Sequence, residues 1–123
     1  MNQPISRKQH GFTDFSYIPL ALAMPKLAGF AHEKKAALLT QVLAGNVALS
    51  SLFTRAEWGG LKKLPFKAHL ALDVANGLLA AGAPWLFGFA RHKAARNAFL
   101  VLGAFGLLAG ALTRPEEMPA GRS

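Results

Sequence analysis

Charged residues along this chain are confined to short segments that separate four apolar runs. The runs without Lys, Arg, Asp or Glu cover residues 15–25, 36–54, 74–90 and 97–113, and basic residues crowd the segments between them. A helix of about 17 to 25 apolar residues is needed to cross the roughly 30 Å of hydrocarbon in a bilayer. The last three runs reach that length, so the pattern predicts a membrane protein with several spans.

The chain also contains an internal repeat without gaps. Residues 10–57 laid over residues 69–116, at an offset of 59, match at 17 of 48 positions. Ten matches are neither Ala nor Leu: His10/His69, Asp14/Asp73, Pro25/Pro84, Gly29/Gly88, Phe30/Phe89, Lys34/Lys93, Val42/Val101, Thr54/Thr113, Arg55/Arg114 and Glu57/Glu116. Self-similarity at a fixed period indicates a duplicated structural unit. The weak first run, aligned on the third, is therefore also interpreted as a helix.

The predicted fold is all-α: a polytopic membrane four-helix bundle made of two tandem two-helix repeats. We expect helices at about 15–30, 36–54, 68–90 and 97–113. Because each repeat has two helices, both repeats have the same orientation in the membrane. The repeats are then related by a parallel pseudo-twofold axis along the membrane normal. The predicted organisation is listed in chain order: a polar tail (1–9), repeat 1 (10–57), a basic interfacial linker (58–68), repeat 2 (69–116) and a C-terminal tail (117–123).

A net charge of +8 changes the expected partners. The basic residues flank apolar spans and do not cluster on a polar surface, which argues against nucleic acid. The expected partners are membrane lipids, including anionic headgroups, and another copy or subunit of a membrane complex. By the positive-inside rule, an excess of Lys and Arg on the side of both termini favours a cytoplasmic location for them. Asp14 and Pro19 interrupt the apolar stretch that a signal peptide would need.

Polar residues at i, i+4 and i+7 form equivalent stripes on the first and third helices: His10, Asp14 and Tyr17, and His69, Asp73 and Asn76. Such stripes can bind a metal or relay protons. The favoured interpretation is structural, with each Asp in the first turn of its helix, where backbone N–H groups stabilise a carboxylate. We then expect the two carboxylates to lie far apart and to face the headgroups. The sequence predicts no metal, no cofactor and no catalytic residue, and the absence of cysteine excludes thiolate chemistry.

Two further sets of residues are predicted to shape the helices. Small residues that allow close helix packing are Ala44, Ser51, Gly103, Gly106 and Gly110. The signature repeated near the ends of helices 1 and 3 comprises Pro25, Gly29, Phe30, Pro84, Trp85, Gly88 and Phe89. Here Pro kinks the helix, Trp85 anchors at the headgroup boundary, and Gly permits a tight turn.

These residues resemble the SPW-repeat family of small prokaryotic integral membrane proteins. The resemblance is carried by His69-x-x-x-Asp73, Asn76-Gly77 and Ala83-Pro84-Trp85-Leu86-Phe87-Gly88-Phe89, and by the inter-repeat stretch Thr54-Arg55-Ala56-Glu57-Trp58-Gly59. Ala83 replaces the Ser of the signature, and the first copy has Met24-Pro25-Lys26. The resemblance implies a bacterial or archaeal inner-membrane location and brings no established activity.

The leading functional prediction is a noncatalytic membrane protein that self-associates or serves as an accessory subunit of a membrane assembly. One alternative is a small transporter or channel component that uses the His/Asp stripes, which requires a water-accessible polar cavity within the membrane. Another alternative is a haem-binding electron carrier, which a Soret band would reveal.

Overall fold

The computed structural model describes residues 3–54, 56, 59–60 and 64–117. These residues form four helices: α1 (Arg7–Leu27), α2 (Lys34–Phe53), α3 (Phe66–Leu86) and α4 (Lys93–Leu112). Within the described ranges the only strand-like pairings are two isolated bridges. The predicted all-α four-helix fold is therefore confirmed.

Helix α1 begins well before the predicted start near residue 15. Ser6 caps it reciprocally: its hydroxyl accepts a hydrogen bond from the Gln9 N–H at 3.1 Å, and the Gln9 side chain accepts one from the Ser6 N–H at 2.9 Å. This capping box satisfies backbone donors that would otherwise lack partners. Residues 7–9 are therefore helical, and the prediction of a polar tail over residues 1–9 is wrong there.

Helix α3 also begins early, inside the predicted linker. Pro65 occupies the N-cap position but has no side-chain hydrogen bond. The Glu117 carboxylate supplies the cap, accepting from the backbone N–H groups of Phe66 at 2.8 Å and Lys67 at 2.9 Å. Glu117 thus belongs to the fold, whereas the prediction placed it in a tail. The remaining linker and tail positions 55, 57–58, 61–63 and 118–123 lie outside the described residues.

Helices α1 and α3 end in the same way, before residues 30 and 90, where their ends were predicted. The Phe30 N–H donates to the Pro25 carbonyl at 2.8 Å, and the Phe89 N–H donates to the Pro84 carbonyl at 2.8 Å. This hydrogen bond closes a six-residue turn at the helix C-terminus. It requires the residue just before the donor to adopt the left-handed backbone conformation. Gly29 and Gly88 provide it, with φ of 81° and 78°. The repeated signature therefore ends each helix and directs a buried Phe into the core.

The four helices are antiparallel neighbours, and hydrogen bonds tie their ends together. The Ile5 N–H donates to the Leu112 carbonyl at 3.1 Å, which places the start of α1 beside the end of α4. The Leu64 N–H donates to the Phe53 carbonyl at 2.6 Å, which places the start of α3 beside the end of α2. Both chain ends and the connection between α2 and α3 therefore lie at one end of the bundle.

Glycines bring α3 and α4 into close contact. A Cβ atom on Gly103 would lie 2.9 Å from the Gly77 carbonyl oxygen, and one on Gly110 would lie 2.6 Å from a methyl carbon of Val74. Gly106 is also packed on α3, against the Asp73 carbonyl. In the first half, Ala44 and Ser51 stand at the positions equivalent to Gly103 and Gly110, and both are buried. Small residues allow this approach of two helix backbones.

Two of the helices, α2 and α4, are long and apolar enough to cross a membrane. Helices α1 and α3 are of similar length but carry the polar stripes, which lower their hydropathy. Length and composition thus give weak support to a membrane location.

We predict that Gly103→Ala destabilises the bundle. The added Cβ meets backbone atoms of α3 at 2.9 Å, and such overpacking costs about 1–3 kcal/mol. The control is Gly45→Ala on α2, where a Cβ meets no atom within 4 Å. That change gains up to about 1 kcal/mol of helix propensity. Thermal unfolding in detergent should show shifts of opposite sign, and equal shifts would contradict this packing.

Candidate functional site

Two histidines and two aspartates meet at the centre of the bundle end that carries the chain termini. His10 and Asp14 project from α1, and His69 and Asp73 project from α3. The four side chains are almost completely buried, with residue exposures between 0% and 3%. Because a spacing of four residues places two side chains on one helix face, each helix presents one His and one Asp. We call these four residues the His–Asp centre.

Each imidazole Nε2 atom contacts both carboxylates. His10 Nε2 lies 2.7 Å from Asp73 Oδ2 and 3.2 Å from Asp14 Oδ2. His69 Nε2 lies 3.3 Å from Asp73 Oδ2 and forms its shorter contact with Asp14 Oδ2. The closer partner of each His is thus on the other helix, so the centre links the two halves of the chain.

Two threonines hold the imidazoles by the other ring nitrogen, Nδ1. His10 Nδ1 lies 2.7 Å from Thr113 Oγ1, and His69 Nδ1 lies 2.8 Å from Thr54 Oγ1. Each hydroxyl donates its own hydrogen to a backbone carbonyl one turn earlier, that of Ala109 or Ser50. The threonine oxygen is therefore an acceptor for the ring, so both Nδ1 atoms carry hydrogen.

This pattern assigns the protons of the centre. Nδ1 of each imidazole carries hydrogen, and Nε2 faces a carboxylate oxygen. The shorter contact of each imidazole, His10 with Asp73 and His69 with Asp14, therefore needs one proton between Nε2 and Oδ2. Two carboxylates, two imidazoles and these two protons carry no net charge. Neutrality matters because an uncompensated charge is very costly to bury, while a paired and hydrogen-bonded one is tolerated.

The last members of the two predicted stripes diverge. Asn76 Oδ1 accepts a hydrogen bond from Asn46 Nδ2 at 2.9 Å and ties α3 to α2. Tyr17 packs edge-on against Phe105 of α4, with ring centroids 5.4 Å apart, and its buried hydroxyl has no hydrogen-bond partner among the described residues. The structure thus brings four of the six stripe residues together and uses the other two at opposite helix interfaces.

A cavity of about 500 Å³ lies between α2 and α3. Its lining is mostly aliphatic and runs from exposed Leu49 and Leu72 to buried Asp73. Asn46 and Asn76 also line it. The cavity therefore extends from the bundle surface to Asp73, one residue of the His–Asp centre.

The expectation that the two carboxylates lie far apart and face the headgroups is wrong. Asp14 and Asp73 stand in the second turn or later of helices that begin at Arg7 and Phe66, so neither caps a helix N-terminus. Asp14 and Asp73 each stand seven residues, about two turns, after the first residue of their helix. They therefore meet the histidines of the opposite helix and do not bond to backbone N–H groups.

Sequence reasoning did not assign Thr54, Thr113 and Asn46 to the site. Thr54 and Thr113 are a matched pair of the repeat at the ends of α2 and α4, so a polar residue repeated at a helix end was an available signal. Asn46 is not matched in the second copy, where Phe105 stands, and carried no such signal.

The remaining two histidines meet at the other end of the bundle. His32 Nε2 lies 3.3 Å from His92 Nε2, and His92 Nδ1 accepts a hydrogen bond from the Ala95 N–H as the cap of α4. The two residues are not aligned with each other in the internal repeat. Trp85, predicted to anchor at the headgroup boundary, lies near the same end and is 60% exposed.

We predict that Asp73→Asn strongly destabilises the fold. The change removes one of the two carboxylates and leaves an uncompensated charge in a buried site. Breaking a buried ion pair in this way costs about 3–5 kcal/mol. A cap at a helix end would have cost only about 0.5–2 kcal/mol. Glu116→Gln is the control, because its ion pair with Arg114 is exposed and contributes at most about 1 kcal/mol. Unfolding curves showing equal effects would contradict the central role of the His–Asp centre.

Comparisons with protein-family models, with curated proteins and with solved structures find no match to this chain.

Proposed function

We propose that this chain is a noncatalytic integral membrane protein of the bacterial or archaeal inner membrane. In this proposal all four helices cross the bilayer, and the protein acts as a self-associating unit or as an accessory subunit of a membrane assembly. The resemblance to the SPW-repeat family points the same way.

The observation that carries the proposal is a belt of exposed apolar side chains that covers the bundle between its charged ends. Leu22, Leu49, Leu78 and Leu108, one on each helix, are between 52% and 60% exposed. Between the first and last turns of the four helices, the charged residues are Asp14 and Asp73, and both are buried. Exposed apolar surface of this extent is unusual for a soluble monomer and suits contact with lipid.

Helix length supports the same proposal. The helices contain 21, 20, 21 and 20 residues. At 1.5 Å per residue each is about 30 Å long, which is the thickness of the hydrocarbon core. The exposed charges of the described residues lie near the helix ends, as the polar boundaries of a bilayer require.

Paired contacts support a pseudo-twofold relation between the two halves. The contact of His10 with Thr113 has its counterpart in the contact of His69 with Thr54, at the sequence offset of 59. The bridges Ile5–Thr113 and Leu64–Thr54 are related by the same offset. With both termini at one end of the bundle, the excess of Lys and Arg in those segments favours a cytoplasmic location for that end.

A lysine in the apolar belt tests membrane insertion. A Lys at the centre of a transmembrane helix costs about 2.5–3.5 kcal/mol, so Leu78→Lys should strongly reduce the amount of protein recovered from the membrane. Leu27→Lys is the control, because Leu27 is also exposed, at 72%, but lies at the end of α1 beside Lys26. If the protein is instead soluble, Leu78→Lys will be recovered without detergent in equal or greater yield.

The cavity beside Asp73 favours a second candidate, a small transporter or channel component. It is lined by Asp73 of the His–Asp centre together with Asn46 and Asn76, although most of its lining is aliphatic. If this cavity carries protons, Asp73→Asn protein that retains its helical circular dichroism should lose a pH-gradient-driven flux in proteoliposomes, while Glu116→Gln should leave the flux unchanged. A sealed bilayer with the unaltered protein and no flux would exclude this candidate. The haem alternative is less favoured, because both ring nitrogens of His10 and His69 face protein partners.

A further inference from the structure

We propose that the His–Asp centre binds one divalent transition-metal ion of the zinc class. The ligands are the Nε2 atoms of His10 and His69 and one carboxylate oxygen each from Asp14 and Asp73. This inference does not depend on the membrane location, because it concerns only contacts inside the bundle.

The four ligand atoms already lie close enough together to bind one ion. All of them lie within 4.8 Å of one another. Tetrahedral zinc with ligands at about 2.0–2.1 Å has ligand pairs separated by about 3.3 Å. The two contacts within a helix, His10 to Asp14 at 3.2 Å and His69 to Asp73 at 3.3 Å, match this separation. The shorter contacts between α1 and α3 would have to lengthen, and the His–His and Asp–Asp pairs, which lie within 4.8 Å, would have to settle near the same separation, by small side-chain rotations.

The surroundings of the ligands resemble those of metal sites. A histidine that binds metal through one ring nitrogen almost always donates a hydrogen bond from the other. Thr54 and Thr113 accept those bonds here, and their own hydroxyls are fixed by backbone carbonyls. The threonines therefore hold both rings with Nε2 directed at the centre.

Charge balance also fits a divalent ion. The hydrogen-bond pattern places two protons between the imidazoles and the carboxylates, so the centre is neutral without metal. One divalent cation that displaces these two protons leaves two neutral imidazoles, two carboxylates and again no net charge. Metal binding to such ligands is accompanied by proton release. The exchange introduces no uncompensated charge into the bundle.

Tyr17 provides an independent indication of a ligand. Its hydroxyl is buried, with the residue 2% exposed, and has no hydrogen-bond partner among the residues that the structure describes. It stands one turn after Asp14 on the same face of α1. Buried polar atoms are nearly always satisfied, so an unsatisfied one requires an explanation. A water molecule held by the ion would give this hydroxyl a partner, and the cavity that reaches Asp73 offers the ion a route from the surface.

The test uses the purified full chain in detergent, stripped with a chelator and then titrated with Zn²⁺ and, separately, with Co²⁺. We expect one Zn²⁺ per chain by elemental analysis, a rise in the unfolding temperature, and the intense visible absorption of tetrahedral Co²⁺. His69→Gln should weaken Zn²⁺ binding by at least a hundredfold. The double variant His32→Gln/His92→Gln is the matched control and should retain the affinity, because it removes the two histidines outside the centre.

A third variant keeps the test decisive if His69→Gln does not fold. Thr54→Val leaves all four ligands in place and removes only the acceptor of His69 Nδ1, so the affinity should fall about 10- to 100-fold with the helical circular dichroism retained. The proposal is overturned if the unaltered chain takes up no Zn²⁺ or Co²⁺. It is also overturned if uptake disappears with the loop histidines or is unchanged in folded Thr54→Val.

Discussion

The burial of four ionisable side chains at one point sets the constraints for the rest of this structure. The His–Asp centre is stable only if its carboxylates and imidazoles remain in contact, because separating them would leave charges inside an apolar bundle. Contact fixes the relative height of α1 and α3. The threonine bonds to both imidazoles then fix the ends of α2 and α4 at the same level. One polar centre thus determines the register of all four helices.

The internal repeat allowed the sequence to predict the framework but not this centre. The offset of 59 predicts helices of equal length and turns at Gly29 and Gly88, and the structure has both. Hydropathy located the start of helix 1 near residue 15, because it reports apolar composition and not backbone conformation. Ser6 and Gln9 add two polar turns that hydropathy does not detect. Those turns carry Asp14 away from the helix end and into the centre.

The two halves share a backbone plan, but their side chains have diverged at the interfaces between them. Tyr17 and Phe105 fill the space between α1 and α4 with an aromatic pair. Asn76 and Asn46 occupy the equivalent positions between α3 and α2, where a hydrogen bond and a cavity are found. A repeat matched by identical residues cannot predict this difference, because it lies at positions where the copies do not match. The cavity therefore lies on the side of the His–Asp centre that holds Asp73.

A structural centre and an ion-binding centre require the same geometry here. Directing both Nε2 atoms and both carboxylates inward keeps the metal-free bundle neutral, and it also gathers four ligands around one point. The threonines serve both states, because they hold the imidazoles by the nitrogen that faces away from the centre. Asymmetry then separates the two roles: Phe66 stacks on His69 and covers the centre, while the cavity reaches Asp73. A purely structural centre has no need for a cavity beside it, and the cavity that reaches Asp73 therefore favours a ligand.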